Sequence, residues 1–166
     1  MKEWLLSLLR PGHPRAEQEL LREIAFRRAM EDSMPTGMRT IAPEGRITYV
    51  NPAFCRIVGL PQESLVGAEP PFPYWPPEER RQLEVNFKRL LKGDLKQVNT
   101  QVNVMHSDGR RLICRMYTSP LRGPDGLQAG WMTSVTDITE PIRIRAELAQ
   151  AQERFITVLQ SLDAAV

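Results

Sequence analysis

The side chains best able to do chemistry are few in this chain and do not gather. Cys55 and Cys114 are far apart and lack the spacing of a metal site. They read as two buried thiols in a reducing compartment rather than as a disulfide. The two histidines, His13 and His106, stand in no Ser-His-Asp pattern. The sequence shows no zinc spacing, no paired carboxylates in a plausible cleft and no phosphate-cradling glycine loop. Glu44, Asp108 and Asp125 sit in turn sequences, and Asp94 follows Gly93 at an element boundary. Arg80-Arg81, Lys88-Arg89 and Arg110-Arg111 are scattered pairs of the kind found on solvated faces, without the interleaved aromatics of a nucleic-acid binder. With 22 basic against 20 acidic residues the formal charge is only +2, which gives no electrostatic case for nucleic acid or a membrane surface. The chain is expected to be non-catalytic.

The elements that must position these residues follow from periodicity and punctuation. At 166 residues one domain is the expectation, with enough chain to bury a core. Trp4-Leu5-Leu6-Ser7-Leu8-Leu9 is apolar but far short of the roughly 20 residues a bilayer span needs. Nor does it read as a cleaved leader, because Arg10-Pro11-Gly12 follows where small cleavage-site residues belong. Ala16 to Asp32 predicts a helix with Leu20, Leu21, Ile24 and Phe26 as its apolar stripe. Strands are predicted from Met38 to Ala42 and from Arg46 to Val50, joined by Pro43-Glu44-Gly45. Asn51-Pro52 is a helix start, Asn51 capping with its side-chain oxygen and Pro52 filling the first turn. Helices are predicted from Pro52 to Val58, ended by Gly59, and from Gln62 to Leu65, ended by Gly67. The prolines between Pro70 and Pro77 exclude regular structure. A longer helix, Glu78 to Lys92, carries Leu83, Phe87, Leu90 and Leu91 on one face.

Periodicity then switches to two. Val98, Thr100, Val102 and Val104 alternate with polar residues, Ser107-Asp108-Gly109 turns the chain, and Leu112, Cys114, Met116 and Thr118 continue the inward register. Gly123-Pro124-Asp125-Gly126 turns it again into a last strand, Gln128 to Thr136, with Trp131, Thr133 and Val135 inward. The order predicts an α+β fold: an antiparallel sheet with helices on one face. Beyond it, Leu148, Gln152, Phe155, Leu159, Leu162 and Val166 are spaced four-three-four-three-four, a coiled-coil seam with one polar member. The stretch from Phe26 to Met38 also resembles that from Phe155 to Val166, as though a second similar domain were beginning.

Gly45-Arg46-Ile47 with Asn51-Pro52-Ala53-Phe54, the Asp108-Gly109 hairpin and Asp137-Ile138-Thr139, in this order and spacing, resemble a PAS domain over about residues 25–140. The resemblance implies a five-stranded antiparallel sheet with helices cupped over one face. Between them lies a cavity that holds a ligand in some members and only side chains in others. It divides the chain into an N-terminal helical linker (1–24), the PAS domain (25–140) and a coiled-coil linker (141–166) running into a possible second PAS domain. It implies a sensory or signal-relay module of a larger bacterial signal-transduction protein, read as a two-component sensor histidine kinase. Two alternatives stand: a ligand-free dimerisation domain, or the sensor half of a transcription regulator or diguanylate cyclase. No phosphoacceptor-histidine helix and no nucleotide-binding glycine boxes are present in the sequence.

No haem is expected, since haem-binding PAS domains usually carry the axial histidine on the long helix and Glu78 to Lys92 has none. No flavin-adduct chemistry is expected either: the reactive cysteine motif of light sensors is replaced here by Ala68-Glu69-Pro70-Pro71-Phe72-Pro73. A small-molecule ligand, if present, is expected among Phe54, Ile57, Tyr74, Trp75, Phe87, Cys114, Met116, Trp131, Thr133 and Val135. Tyr74 and Trp75 read either as a plug for the mouth of the core or as a lid over a pocket. Asp137, Ile138 and Thr139 are the expected signal-transmission joint, with Thr139 the N-cap of the exit helix. The expected partners are a second copy, through the flanking helices and an outer sheet face bearing Met105, Ile113, Tyr117 and Met132, and an output domain in the same chain. The expected location is the cytoplasm, with any inner-membrane anchor supplied by segments outside this one.

Overall fold

The computed structural model describes residues 14–94 and 98–163. The expectations for residues 4–9, His13 and Val166 lie outside that range, as does the side chain of Leu162. The chain divides into two units, residues 1–35 and 36–166. In the first, helix α1 (Pro14–Ser33) covers the predicted stretch from Ala16 to Asp32. Leu20, Leu21, Ile24 and Phe26 on this helix are exposed.

The second unit opens with strands β1 (Gly37–Ile41) and β2 (Ile47–Val50), followed by the short helices α2 (Pro52–Val58) and α3 (Gln62–Leu65). Helix α4 (Arg80–Leu91), strands β3 (Val98–Met105), β4 (Arg111–Arg122) and β5 (Gln128–Asp137), and helix α5 (Thr139–Asp163) complete it. The sheet order is β2-β1-β5-β4-β3, and every neighbouring pair is antiparallel. This is the five-stranded α+β arrangement the sequence predicts. Its inner face carries the predicted register: Leu112, Cys114, Thr118, Trp131, Thr133 and Val135 are buried, and Met116 is half-buried. On the other face Tyr117 is exposed, while Met105, Ile113 and Met132 are half-buried.

Local chemistry fixes how the helices leave the sheet. Asn51 is fully buried, and its Oδ1 accepts from the amides of Phe54 (2.9 Å) and Met38 (2.7 Å). Its Nδ2 donates to the Thr36 carbonyl at 3.0 Å. The residue therefore caps α2 as predicted and also fastens that helix to β1, which the cap reading did not foresee. Helix α2 ends at Gly59, whose φ of 70° is left-handed and suits a residue without Cβ. A Cβ there would also run into the imidazole of His106, which packs half-buried against this helix end.

Helix α4 starts at Arg80 rather than at Glu78, because Pro76 to Glu79 closes a turn through the Glu79 amide and the Pro76 carbonyl (3.0 Å). The proline-rich loop before it is irregular, as expected, but it is not peripheral. Phe72, Tyr74 and Trp75 are all buried, and the Tyr74 carbonyl accepts from the Met105 amide at 2.9 Å, stapling the loop to β3.

Candidate functional site

A cavity of ≈ 290 Å³ lies between the inner face of the sheet and helices α2 and α4. Phe54 and Val58 reach it from α2, Leu83, Asn86, Phe87 and Leu90 from α4, and Tyr74 and Trp75 from the proline-rich loop. The sheet supplies Arg39, Val98, Thr100, Val102, Asn103, Val104, Met116, Thr118 and Val135. The periodicity of the sequence explains this assembly. A strand presents alternate residues to one face, so inward residues of β3, β4 and β5 floor the cavity, and α4 roofs it. Asn86, Thr100 and Asn103 are the exposed lining residues, whereas Arg39, Thr118 and Val135 are buried.

Of the residues expected around a ligand, Phe54, Tyr74, Trp75, Phe87, Met116 and Val135 line this cavity. Ile57, Cys114, Trp131 and Thr133 do not line it; Cys114, Trp131 and Thr133 are buried beside it, and Ile57 packs half-buried against the core. Tyr74 and Trp75 are core residues and cavity walls together, which joins the two readings of that pair. The rings form a continuous aromatic wall. Phe72 stacks on Tyr74 at 5.5 Å and meets Trp75 and Phe87 edge-on at 5.1 and 5.4 Å.

The residue the sequence reading missed is Arg39. It lies on β1, only 5% exposed, and its guanidinium carbon sits 5.2, 5.6 and 5.9 Å from the ring centres of Phe72, Tyr74 and Phe54. Its Nη1 donates to the Tyr74 hydroxyl, and its Nε is buried without a hydrogen-bond partner. No carboxylate pairs with it among the described residues. Burial pushes the Tyr74 phenol above its ordinary range, the Arg39 charge opposing this only in part. The phenol is therefore neutral and supplies an oxygen but no counter-charge. Ring contacts return roughly 0.5–2 kcal/mol each, against a desolvation cost of several kcal/mol for a buried ion. The site as it stands leaves a cation incompletely compensated.

Neighbouring polar side chains continue the same row across the sheet. Arg39 is opposite Thr133 on β5, which is opposite Thr118 on β4. The two threonine hydroxyls are 3.1 Å apart and fully buried. Cys114 lies on the same face of β4 beyond Met116, and burial pushes its thiol up to about 12, with the Asp137 charge adding to the shift. Cys55 is raised as well, first by burial and then by the Glu63 charge. Both are free thiols. Among the described residues no group of three or more His, Cys, Asp or Glu could hold a metal.

The junction of β5 and α5, where the sequence places a signal-transmission joint, is held by side chains of Asp137 and Thr139. Asp137 Oδ1 accepts from the Thr139 amide (2.9 Å) and hydroxyl (2.6 Å). The Thr139 hydroxyl oxygen in turn accepts from the Ile113 amide of β4 at 2.9 Å, and the Ile138 amide donates to the Ile113 carbonyl at 2.8 Å. Thr139 is thus not the side-chain cap of α5 that was expected. Its hydroxyl belongs to the sheet, and Asp137 receives the first helical amide instead. The joint locks the start of α5 to Ile113, the neighbour of Leu112 and Cys114 on the core face.

Comparison with known proteins agrees with this architecture. The family model described as PAS fold matches residues 32–143. The chain is 41% identical over 138 residues to the C4-dicarboxylate transport sensor protein DctS of Rhodobacter capsulatus, covering 83% of this chain and 21% of that protein. It is 28% identical over 132 residues to the probable diguanylate cyclase DgcE of Escherichia coli K12, covering 80% of this chain and 12% of that protein. The chain thus spans about a fifth or less of the curated relatives it matches. Among solved structures, a PAS domain from Colwellia psychrerythraea aligns with a TM-score of 0.58 at 18% identity, over 70% of this chain and 98% of that one. The PAS domain of an HTR-like protein from Haloarcula marismortui aligns at 0.60 and 15%, over 76% and 100%. The chain belongs to the PAS family. It is a sensory signal-relay module of the bacterial signal-transduction type, and PAS modules of this kind are not themselves catalytic.

Proposed function

We propose that this module senses a small molecule in the cavity between sheet and helices and passes occupancy through Asp137-Ile138-Thr139 to α5, and from there to the output domain of a two-component sensor histidine kinase. The observation that carries the reading is the connection between the two loci. Cys114 and Met116 on β4 lie beside or in the cavity wall, and Ile113 of the same strand is hydrogen-bonded to the first residues of α5. A ligand that shifts β4 by a fraction of an ångström therefore moves the root of a 25-residue helix. The likeness to a transport sensor protein favours a kinase over the cyclase output.

Two copies assemble along α5 in this reading. Leu148, Phe155 and Leu159 of the predicted seam are exposed in the single chain, and a helix partner would cover them. No stable haem or flavin takes part, so the signal is binding of a metabolite rather than light or redox state. No helix among the described residues is long and apolar enough to cross a membrane. In this proposal the module works on the cytoplasmic side, with any inner-membrane anchor in segments outside this one. The test is autophosphorylation of the full-length kinase with Thr139→Val. Its ligand response should vanish while the module stays folded. An unchanged response with that variant overturns the route.

A further inference from the structure

We propose that the cavity takes a monocarboxylate with an apolar or aromatic body, its carboxylate paired with Arg39. The inference rests on the cavity being a ligand site. What it adds is the charge, orientation and size of the occupant.

Arg39 is a positive charge at the buried end of a cavity whose other buried walls are aromatic and aliphatic, apart from the Thr118 hydroxyl, which is already bonded to Thr133. Its Nε has no partner, and Tyr74, the acceptor of its Nη1 bond, is a neutral phenol. A guanidinium left in that state has donors arranged in a rigid fork that matches a carboxylate, for which the side chain is well suited. The ring faces of Phe54, Phe72 and Tyr74 hold the guanidinium in place. A ligand anion would meet a preorganised partner rather than one that must be ordered on binding.

The remainder of the ligand follows from what surrounds the charge. The polar lining residues that reach solvent, Asn86, Thr100 and Asn103, lie on α4 and on β3. Strand β3 is three strands from β1 in the sheet, about 14 Å at the usual strand spacing. Between the two ends β5 and β4 offer Val135, Met116 and the hydroxyl of Thr118, and no cation. A four-carbon dicarboxylate spans under about 5 Å between its carboxyl carbons, so its second carboxylate would stop short of the polar end with no lining cation to meet it. One anionic group and a hydrophobic body suit the site. The volume, ≈ 290 Å³, is at or below the smallest pockets that hold drug-sized ligands, which limits the body to a small one.

The test uses isothermal titration calorimetry on the intact 166-residue chain. Hexanoate and phenylacetate are compared with hexanamide and phenylacetamide, and succinate is the third arm. The expected result is that the carboxylates bind at least about tenfold tighter than their amides, and that Arg39→Met removes the difference. Arg39→Lys should restore part of the preference, since it returns the charge without the fork. Arg39→Met removes an incompletely paired buried charge and should leave the fold at least as stable, so a loss of binding in it is not a loss of folding. Amides binding as tightly as carboxylates, or an Arg39→Met chain that keeps the preference, would overturn the anion assignment and leave the ligand site standing. Succinate binding more tightly than either monocarboxylate would overturn the single-charge occupant. If none of the five probes binds at millimolar concentration, the assignment falls; native mass spectrometry of the chain then decides the ligand site separately, a retained neutral molecule keeping it and a bare polypeptide removing it.

Discussion

Removing the Asn51 side chain strips hydrogen bonds from the amides of Met38 and Phe54 and from the Thr36 carbonyl in one step. A cap alone is worth about 1 kcal/mol; with two more buried groups left unpaired, Asn51→Ala should cost about 3 kcal/mol in urea unfolding. A loss of about 1 kcal/mol or less would mean that water replaces the other two bonds. The thiols make a second residue-scale prediction. The Cys114 thiol is held far above its ordinary 9.0 by burial, so its thiolate is disfavoured in the folded chain. This contribution to stability is present below about pH 9 and is lost as pH rises from there toward about 12. At pH 8 iodoacetamide should modify half-buried Cys55 slowly and Cys114 not at all until the chain is unfolded. Mass analysis showing Cys114 alkylated first would contradict its place in the core. At this scale Asn51 was legible in the sequence because Asn-Pro is a local signal, complete within two residues. Arg39 was not. In Met38-Arg39-Thr40-Ile41 the arginine shares its face with Ile41 and turns inward while Met38 turns out, and only pairing with β5 sets that register. Asp137-Ile138-Thr139 was legible as the junction between the last strand and the exit helix, but Thr139 as a cap was a local reading that the long-range bond from Ile113 overrides.

The three C-terminal strands carry their period of two openly, because one face of each meets the core and the other does not. Their inward sets, and the helices Pro52–Val58 and Gln62–Leu65 with their terminators, are therefore legible at sequence level. The sheet order is less so. Nothing in β1 announces that it will lie between β2 and β5, since that placement rests on pairing across almost a hundred residues. The same non-local contacts hide Phe72, which reads as a loop residue among prolines and ends up fully buried against Tyr74, Trp75 and Phe87. The prediction at this scale concerns the hinge between β4, β5 and α5. Thr139→Val keeps the shape of the side chain but takes the acceptor from the Ile113 amide. Hydrogen exchange at that amide should accelerate at least about tenfold, an opening made easier by about 1.4 kcal/mol, with little change at Val104 or Val135. Unchanged exchange at Ile113 would show that the joint is held by the Ile138 amide alone.

For the molecule as a whole, the exposed Leu148, Phe155 and Leu159 on α5 are the sort of surface that a second copy covers. Light scattering at tens of micromolar should give a dimer for the intact chain and a smaller mass for a chain ending at Glu140; a monomer in both would remove the assembly from the account. The proposed relay along α5 has a physical route, because Met116 of β4 lines the cavity and Ile113 of the same strand is bonded to Thr139 at the start of α5. Everything in that route presumes that the cavity is occupied in the working protein. Native mass spectrometry of the chain purified from its own cells tests this most directly, alongside Val102→Trp, which puts an indole into the cavity from β3. A small bound molecule is expected on the wild-type chain and none on the variant, with both folded. A wild-type chain that flies at the bare polypeptide mass, or a variant that carries the same molecule, would contradict it.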